Sequence, residues 1–153
     1  MSASIIFQDQ RYTPAHFANL TFTEQAFQGL EAGQQFMHFW LSDKQLFYQK
    51  TSGSTGKPTI HEISRKMIVA SAQRTTAALN INPGASALVC INMDYIGGKM
   101  MLARGLMNNW QLHLEAPNAD LTTILSKQSF EFSAMVPLQL QKLIEQPKAS
   151  KLL

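Results

Sequence analysis

The sequence predicts an α/β fold in which a mostly parallel sheet is flanked by helices. Its second half alternates apolar, strand-like runs with helical stripes, as in parallel strands joined by helical crossovers. Residues 87–92 form a continuous apolar run, which is typical of a strand covered on both faces. The chain has 153 residues, of which 45% are hydrophobic, so we expect one domain with a substantial core.

The N-terminal segment, residues 1–44, is predicted to contain one short strand and a long helical stretch. The strand spans residues 4–7 and is followed by a polar turn at 8–11. Residues 23–41 are predicted to be mostly helical, although two glycines within them weaken the helix and allow it to divide into two.

Residues 45–63 are predicted to form a hairpin that carries a loop. A strand at 45–50 leads into a loop rich in glycine, serine and threonine, and a second strand returns at 59–63. Ser64 is the expected N-cap of the helix that follows.

Residues 64–153 are predicted to complete the same domain as a βαβαβα unit after that helix. A proline stands at the first position of the last helix, where its missing N–H costs least. The predicted elements alternate along the chain: strand 87–92, helix 99–107, strand 111–115, helix 121–126, strand 130–136 and helix 138–145.

Charge, cysteine content and hydropathy exclude several functional classes. The net charge is +3, but the basic residues form no run or stripe, so we expect no nucleic-acid partner. The single cysteine, Cys90, lies in an apolar run and predicts a buried side chain rather than a nucleophile or a zinc ligand. No apolar run approaches the roughly 20 residues that span a bilayer, and no signal peptide is evident. We therefore expect a cytoplasmic protein without a membrane partner.

The loop between the two hairpin strands has residue types that suit a polyphosphate. Its sequence is Thr51-Ser52-Gly53-Ser54-Thr55-Gly56-Lys57-Pro58. Glycines let backbone N–H groups approach an anion closely, hydroxyls donate hydrogen bonds, and lysine supplies a compact positive charge. An exposed hairpin loop without a ligand has a similar composition, and this interpretation stays open. A Walker A loop ends in Gly-Lys-Ser/Thr and enters a helix. This loop ends in Pro58 before a predicted strand, so we reject the interpretation as a Walker A motif.

The loop resembles the phosphate-loop signature of the adenylate-forming superfamily, which includes acyl-CoA synthetases, luciferases and peptide-synthetase adenylation domains. Residues 51–57 stand in the family order and are followed by the expected Pro58. The sequence departs from the signature at Thr59, where the family usually carries a second basic residue. The resemblance implies a partial N-terminal lobe of an adenylate-forming ligase.

The resemblance also implies substrates and cofactors. In this family the loop holds the β- and γ-phosphates of ATP while a small-molecule carboxylate attacks the α-phosphate. Acyl-AMP and pyrophosphate result, and coenzyme A then takes the acyl group. The implied ligands are therefore ATP with Mg²⁺, a carboxylic acid and coenzyme A, and residues 51–57 are implied to bind the nucleotide.

A second resemblance concerns the acyl substrate. Residues 87–106 and 136–142 are similar to small o-succinylbenzoate–CoA ligases of menaquinone synthesis. Many relatives carry an aromatic residue followed by His near the acyl pocket, and Asp94-Tyr95 stands in that place here. We predict that Tyr95, Gly97 and Gly98 contact the carboxylate substrate. Alternatively, Tyr95 is a partly buried turn residue without a substrate contact. For Gly97 and Gly98 the alternative is a loosely formed start of a helix.

Enzymes of this family are several hundred residues long, so we expect this chain to be an incomplete N-terminal part. The segments that contact adenine and ribose, and the main catalytic lysine, are expected beyond Leu153. We expect the chain alone to be inactive, and to self-associate through surfaces that the missing lobe would cover. A ligase for another aryl or fatty acid, or a non-catalytic nucleotide-binding module, are the alternative functions.

Overall fold

A computed structural model of the chain describes residues 2–22, 27–51 and 59–146. Its helices and strands follow one another in this order: β1 (Ser4–Phe7), β2 (Gln10–Tyr12), α1 (Pro14–Ala18), α2 (Leu30–Leu41), β3 (Leu46–Thr51), β4 (Thr59–Ser64), α3 (Arg65–Ala78), β5 (Ser86–Val89), α4 (Ile96–Met107), β6 (Gln111–Leu114), α5 (Thr122–Lys127), β7 (Phe132–Ala134) and α6 (Pro137–Ile144). None of the helices in these described ranges has the length and hydropathy needed to cross a membrane.

The main sheet has five strands in the order β2-β1-β6-β5-β7. Strands β1, β6, β5 and β7 run parallel, and β2 adds to one edge antiparallel to β1. The predicted α/β class with a mostly parallel sheet is therefore confirmed. The polar turn predicted at residues 8–11 is shorter than expected. Gln8 and Asp9 form it with φ of 51° and 60°, which suits a two-residue hairpin turn, so the next two residues already belong to β2.

The main sheet carries apolar side chains on both faces. Strand β5 packs against a cluster on each face, which explains its continuously apolar sequence. Ala87 and Val89 belong to the large core cluster, together with residues of α2, α3 and α4. Leu88 and Cys90 belong to a smaller cluster with Leu121, which α5 covers. Because both faces are buried, alternation between apolar and polar residues disappears from this strand, as the sequence predicted.

Helix α2 is shorter than the helix predicted at residues 23–41. It begins at Leu30, while residues 23–26 lie outside the described residues. Gly29 precedes the helix with φ 91°, a left-handed conformation that glycine adopts without strain. Gly33 lies so close to the segment before α4 that an added Cβ would come within 2.6 Å of the Met93 sulfur. The two glycines therefore set the start of the helix and its close approach to the segment before α4.

Two further local predictions need correction. Helix α1 was not predicted, although Thr13 caps it by accepting from the His16 N–H and a proline occupies its first position. The helical spacing of Ile68, Ala72, Thr75 and Leu79 predicts one apolar stripe on α3, but Leu79 follows the helix and is 57% exposed. Ser64 does cap α3, with its hydroxyl accepting from the Met67 N–H at 3.2 Å.

Strands β3 and β4 form a separate two-stranded antiparallel sheet, as the hairpin prediction required. Their register runs from Leu46 opposite Ser64 to Thr51 opposite Thr59. Thr51 and Thr59 thus lie at the end of the hairpin where the loop sequence connects the two strands.

Arg65 fixes the other end of this hairpin to α2. Its guanidinium donates hydrogen bonds of 2.7–3.0 Å to four backbone carbonyls, those of Phe39, Trp40, Ser42 and Lys44. Two of these carbonyls belong to the last turn of α2, where a positive charge also complements the helix dipole. The guanidinium lies 4.6 Å from the Phe39 ring centroid, which adds a cation–π contact.

We expect Arg65→Lys to lower the free energy of unfolding by roughly 2–4 kcal/mol, because an ammonium cannot reproduce the planar fork of donors and leaves part-buried carbonyls unpaired. Urea unfolding followed by circular dichroism measures the change. Arg74→Lys on the exposed side of α3 is the matched control and should change stability by less than about 0.5 kcal/mol. Equal stability of the two variants would contradict the anchoring role of Arg65.

Candidate functional site

The described part of the predicted phosphate loop is its first residue. Thr51 ends β3, and its hydroxyl donates to the Thr59 carbonyl at 3.4 Å. Ser52, Gly53, Ser54, Thr55, Gly56 and Lys57 lie outside the described residues, so their predicted phosphate contacts stay predictions. The two strands that the loop sequence joins, β3 and β4, are described and end and begin at Thr51 and Thr59.

Gln49 connects the hairpin to the segment before α4. It is 4% exposed, although most of its neighbours on β3 are exposed. Its Nε2 donates to the carbonyls of Lys50 at 2.7 Å and Asp94 at 2.9 Å. The loop-bearing strand is therefore held directly against the residue that precedes Tyr95.

Tyr95 is the N-cap residue of α4 and is 59% exposed. The turn before it is held by Asn92, whose Oδ1 accepts from the Asp94 N–H at 2.8 Å. The exposed tyrosine lines two separate cavities, one beside the hairpin and one at the ends of the sheet strands. This position suits the predicted contact with a substrate, which stays a prediction.

The cavity beside the hairpin, which we call the hairpin cavity, has a volume of about 370 Å³. It lies between α2, β3 and the start of α4. Its lining residues are Ala32, Gln35, Phe47, Tyr48, Gln49, Lys50, Thr51, Asp94, Tyr95 and Lys99. The first residue of the loop and the predicted substrate-contacting tyrosine thus face one common space.

The second cavity, which we call the strand-end cavity, has a volume of about 260 Å³. Cys90 and Val136 line it, and each stands one or two residues beyond a parallel strand. Ligands of open α/β sheets commonly bind outside the carboxyl ends of the strands. Gln139 also lines this cavity, and its Nε2 donates to the carbonyls of Cys90 and Asn118, both at 2.8 Å.

Cys90 is a buried free thiol, as the sequence predicted. Burial raises the pKa of this thiol above the usual cysteine value, although a hydrogen bond with Ser133 opposes the change. A thiol with a raised pKa is protonated at neutral pH and is a poor nucleophile. The residue packs in the apolar cluster with Leu88 and Leu121, which suits a structural role.

Lys99 lies in the hairpin cavity and was missed as a site residue by the sequence analysis. A lysine five residues after Asp94 suits a surface pair with that aspartate, but Lys99 is only 5% exposed. Its Nζ donates to the Asp94 backbone carbonyl at 2.9 Å rather than to the carboxylate. Among the described residues the sole ion pair joins Lys142 and Glu145. Burial lowers the pKa of the Lys99 ammonium, and the charge of Asp94 partly opposes this shift.

The two predicted glycines at the start of α4 have different surroundings. Gly97 is exposed, and an added Cβ there would meet nothing within 4 Å. Gly98 is buried, and an added Cβ would lie 2.7 Å from the Asn92 carbonyl oxygen and 2.8 Å from the Met93 Cα. The backbone at Gly98 therefore packs against the preceding turn. This contact is a structural reason for a glycine there, while a role of either glycine in substrate binding stays a prediction.

Two further features of the described residues do not form part of this site. A groove of about 670 Å³ runs between α2 and β3, but neither Thr51 nor Tyr95 lines it. Within the described ranges, no three side chains of His, Cys, Asp or Glu are grouped so that they could hold a metal ion, and we assign no Mg²⁺ ligand.

Two solved structures resemble this fold. An acyl-CoA synthetase (AMP-forming)/AMP-acid ligase II-like protein from Dyadobacter fermentans DSM 18053 is 35% identical, with a TM-score of 0.76 over 91% of this chain. The inhibitor-bound N-terminal domain of FACL13 from Mycobacterium tuberculosis is 20% identical, with a TM-score of 0.59 over 72% of this chain, and supports the fold alone. No protein-family model matches the sequence. No curated protein matches it either.

The chain spans 40% of the length of the Dyadobacter protein and 28% of the Mycobacterium chain. The first similarity supports the resemblance to the acyl-CoA synthetase superfamily that the loop sequence indicated. The fold matches an N-terminal part of an AMP-forming ligase. Neither neighbour is described as an o-succinylbenzoate ligase, so that finer assignment stays a prediction.

We expect Gly98→Ala to lower the free energy of unfolding by about 1–3 kcal/mol, because the added methyl group would force the turn before α4 to move. Gly97→Ala is the matched control. It should be neutral or stabilise the protein by up to about 1 kcal/mol, since alanine favours helix and the position is open. Urea unfolding measures both values. A Gly98→Ala variant as stable as Gly97→Ala would show that the close contact is not constraining.

Proposed function

We propose that this chain carries the phosphate-loop part of an ATP-dependent acid–thiol ligase. Such an enzyme activates a carboxylate to acyl-AMP and then transfers the acyl group to coenzyme A. The observation that carries the proposal is the loop sequence at residues 51–57, which begins at Thr51, the last residue of β3, and Thr51 lines a cavity together with Tyr95. The 35% identity to an AMP-forming acyl-CoA synthetase-like protein supports it independently.

The loop residues would stabilise the charge of the leaving pyrophosphate. Backbone N–H groups at Gly53 and Gly56, hydroxyls such as that of Thr55, and the ammonium of Lys57 are the donors that a polyphosphate requires. In this step an oxygen of the substrate carboxylate forms a bond to the α-phosphorus of ATP. The bond between the α-phosphorus and the oxygen that bridges to the β-phosphate breaks, and pyrophosphate leaves with that oxygen. Because the negative charge moves onto the pyrophosphate, donors placed around it lower the barrier. When bound, Mg²⁺ would add charge neutralisation at the same phosphates.

The carboxylate would approach from the side of Tyr95. This residue lies between the hairpin cavity and the strand-end cavity, and Gln49 holds the turn before it against β3. An acid bound beside Tyr95 would therefore lie next to the strand that leads into the phosphate loop. Gly97, which is exposed at the start of α4, leaves room for a substrate to approach the backbone.

For the acyl substrate we propose o-succinylbenzoate, with a role in menaquinone synthesis, on the similarity of residues 87–106 and 136–142 to that subgroup. The replacement of the usual His by Tyr95 keeps another aryl or fatty acid as the alternative. The competing function is nucleotide binding without catalysis.

We expect the double variant Thr55→Ala, Lys57→Ala to bind pyrophosphate and ATP at least about 100-fold more weakly than the unchanged chain, because it removes two side chains and each hydrogen bond to a charged group contributes roughly 1.5–3 kcal/mol. Isothermal titration calorimetry measures the affinities. The control is Lys66→Ala, Thr123→Ala, which removes the same side chains at exposed positions on α3 and α5. Undiminished binding by the loop variant would contradict the assignment of the loop to phosphate.

We also expect a protein of residues 1–153 to release no pyrophosphate when given ATP, coenzyme A and o-succinylbenzoate. The reason is that it spans only 40% of the similar ligase-like protein, and the main catalytic lysine is expected in the remainder. A coupled pyrophosphate assay with and without the acid tests this. Acid-dependent turnover by this protein would refute the expectation while supporting ligase activity.

A further inference from the structure

We propose that Lys99 and the hairpin cavity bind the carboxylate of an aromatic acid. This inference rests on the proposed function, whose substrate site it specifies. It assigns the recognition of the acid to the ammonium of Lys99 on α4, a residue outside the phosphate loop and not among the three residues predicted to contact the substrate.

The first argument is the charge of Lys99, which has no counter-ion among the described residues. The side chain is 5% exposed, and its partner is a neutral backbone carbonyl. An ammonium has three donors, of which this bond uses one. Lysine is almost never fully buried unless it is paired, because removing its charge from water is costly. A bound anion would provide the missing partner.

The charges around the cavity favour an anion. Of the described residues that line it, Lys50 and Lys99 are basic and Asp94 is acidic. Asp94 is exposed, and its carboxylate lies beyond ion-pair distance of Lys99. The nearest described carboxylate on α2, that of Glu31, accepts from the Gln35 amide at 3.1 Å and does not line this cavity. The cavity therefore carries more positive than negative charge.

The aromatic lining favours a carboxylate over a phosphate. Phe47, Tyr48 and Tyr95 surround the space, and the Lys99 Nζ lies 5.7 Å from the Phe47 ring centroid. A phosphate group needs many donors, whereas a carboxylate is satisfied by one ammonium and one or two further donors. The volume of about 370 Å³ lies in the range of small-molecule sites. An aryl ring would fill the aromatic part while its carboxylate meets Lys99.

The hairpin cavity also lies in the right place for this role. Thr51, the first residue of the phosphate loop, lines it. The Asp94 carbonyl accepts from both Gln49 on the hairpin and Lys99 on α4, each at 2.9 Å. An acid held by Lys99 would therefore be positioned against both elements at once. Burial lowers the pKa of Lys99, and this pKa would rise when a carboxylate binds, because an opposite charge favours the ammonium.

The test compares Lys99→Met with the unchanged chain, using benzoate as the probe. Methionine matches the length of lysine without its charge, and the Asp94 carbonyl keeps its bond from Gln49, so the variant should fold with an undiminished unfolding midpoint. NMR titration should show benzoate binding to the unchanged chain and about 10- to 100-fold weaker binding to the variant. Lys66→Met, at an exposed position of α3, should bind benzoate as the unchanged chain does.

A second measurement follows the lysine itself. With ¹³C label at the lysine Cε, the resonance that is missing in Lys99→Met should titrate at a higher pH when benzoate is present. Unchanged benzoate affinity in Lys99→Met, or no benzoate binding by the unchanged chain, would overturn the proposal. Loss of pyrophosphate rather than benzoate binding in this variant would also overturn it, and would indicate a phosphate subsite.

The same titrations separate this proposal from the phosphate loop. The variant Thr55→Ala, Lys57→Ala should lose pyrophosphate binding and keep benzoate binding, while Lys99→Met should do the reverse. If the loop variant binds pyrophosphate normally and Lys99→Met loses benzoate, the loop assignment fails and the carboxylate site stands.

Discussion

The contacts of Arg65 are the constraint on which the arrangement of this domain depends. One side chain pairs four carbonyls at the end of α2 and in the turn that follows, while its own residue begins α3 directly after β4. Its backbone N–H also donates to the Gln45 carbonyl at 2.7 Å. A helix end, a hairpin base and a helix start therefore meet at one guanidinium. A lysine ammonium is a single point of three donors and could not bond four carbonyls in the way that the planar guanidinium does.

A second contact, made by Gln49, holds the hairpin near the end that carries the loop, and it positions the residues that line the hairpin cavity. Gln49 is buried where the strand passes the turn before α4, and its amide bonds the Asp94 carbonyl. Gly33 and Gly98 let α2 and α4 approach the same turn closely, where larger residues would collide with Met93 or with the backbone. Tight packing on both sides thus positions Tyr95, an exposed residue, on a rigid support.

The sequence predicted the elements of this fold better than the contacts between them. Local signals sufficed for the hairpin and for the Ser64 cap, because turn chemistry and capping depend on neighbouring residues. The position of Lys99 depends on tertiary packing, since a lysine five residues after an aspartate equally suits a surface pair. Helix α1 could have been predicted from Thr13 and the proline that follows it. The two cavities could not, because their walls come from distant segments.

Lys99 is buried and has no counter-ion in the part of the chain that the structure describes, which is costly for a structural role alone. Its bond to the Asp94 carbonyl is duplicated by Gln49, so the backbone would be satisfied without it. Methionine would fill the same space with no desolvation penalty, and α4 already contains methionine at the next two positions. A bound anion in the hairpin cavity would offset the cost of removing the Lys99 ammonium from water, and this explains a lysine at this position. That cavity adjoins Thr51, so the same anion would lie where an acid must lie to meet a nucleotide held by the loop.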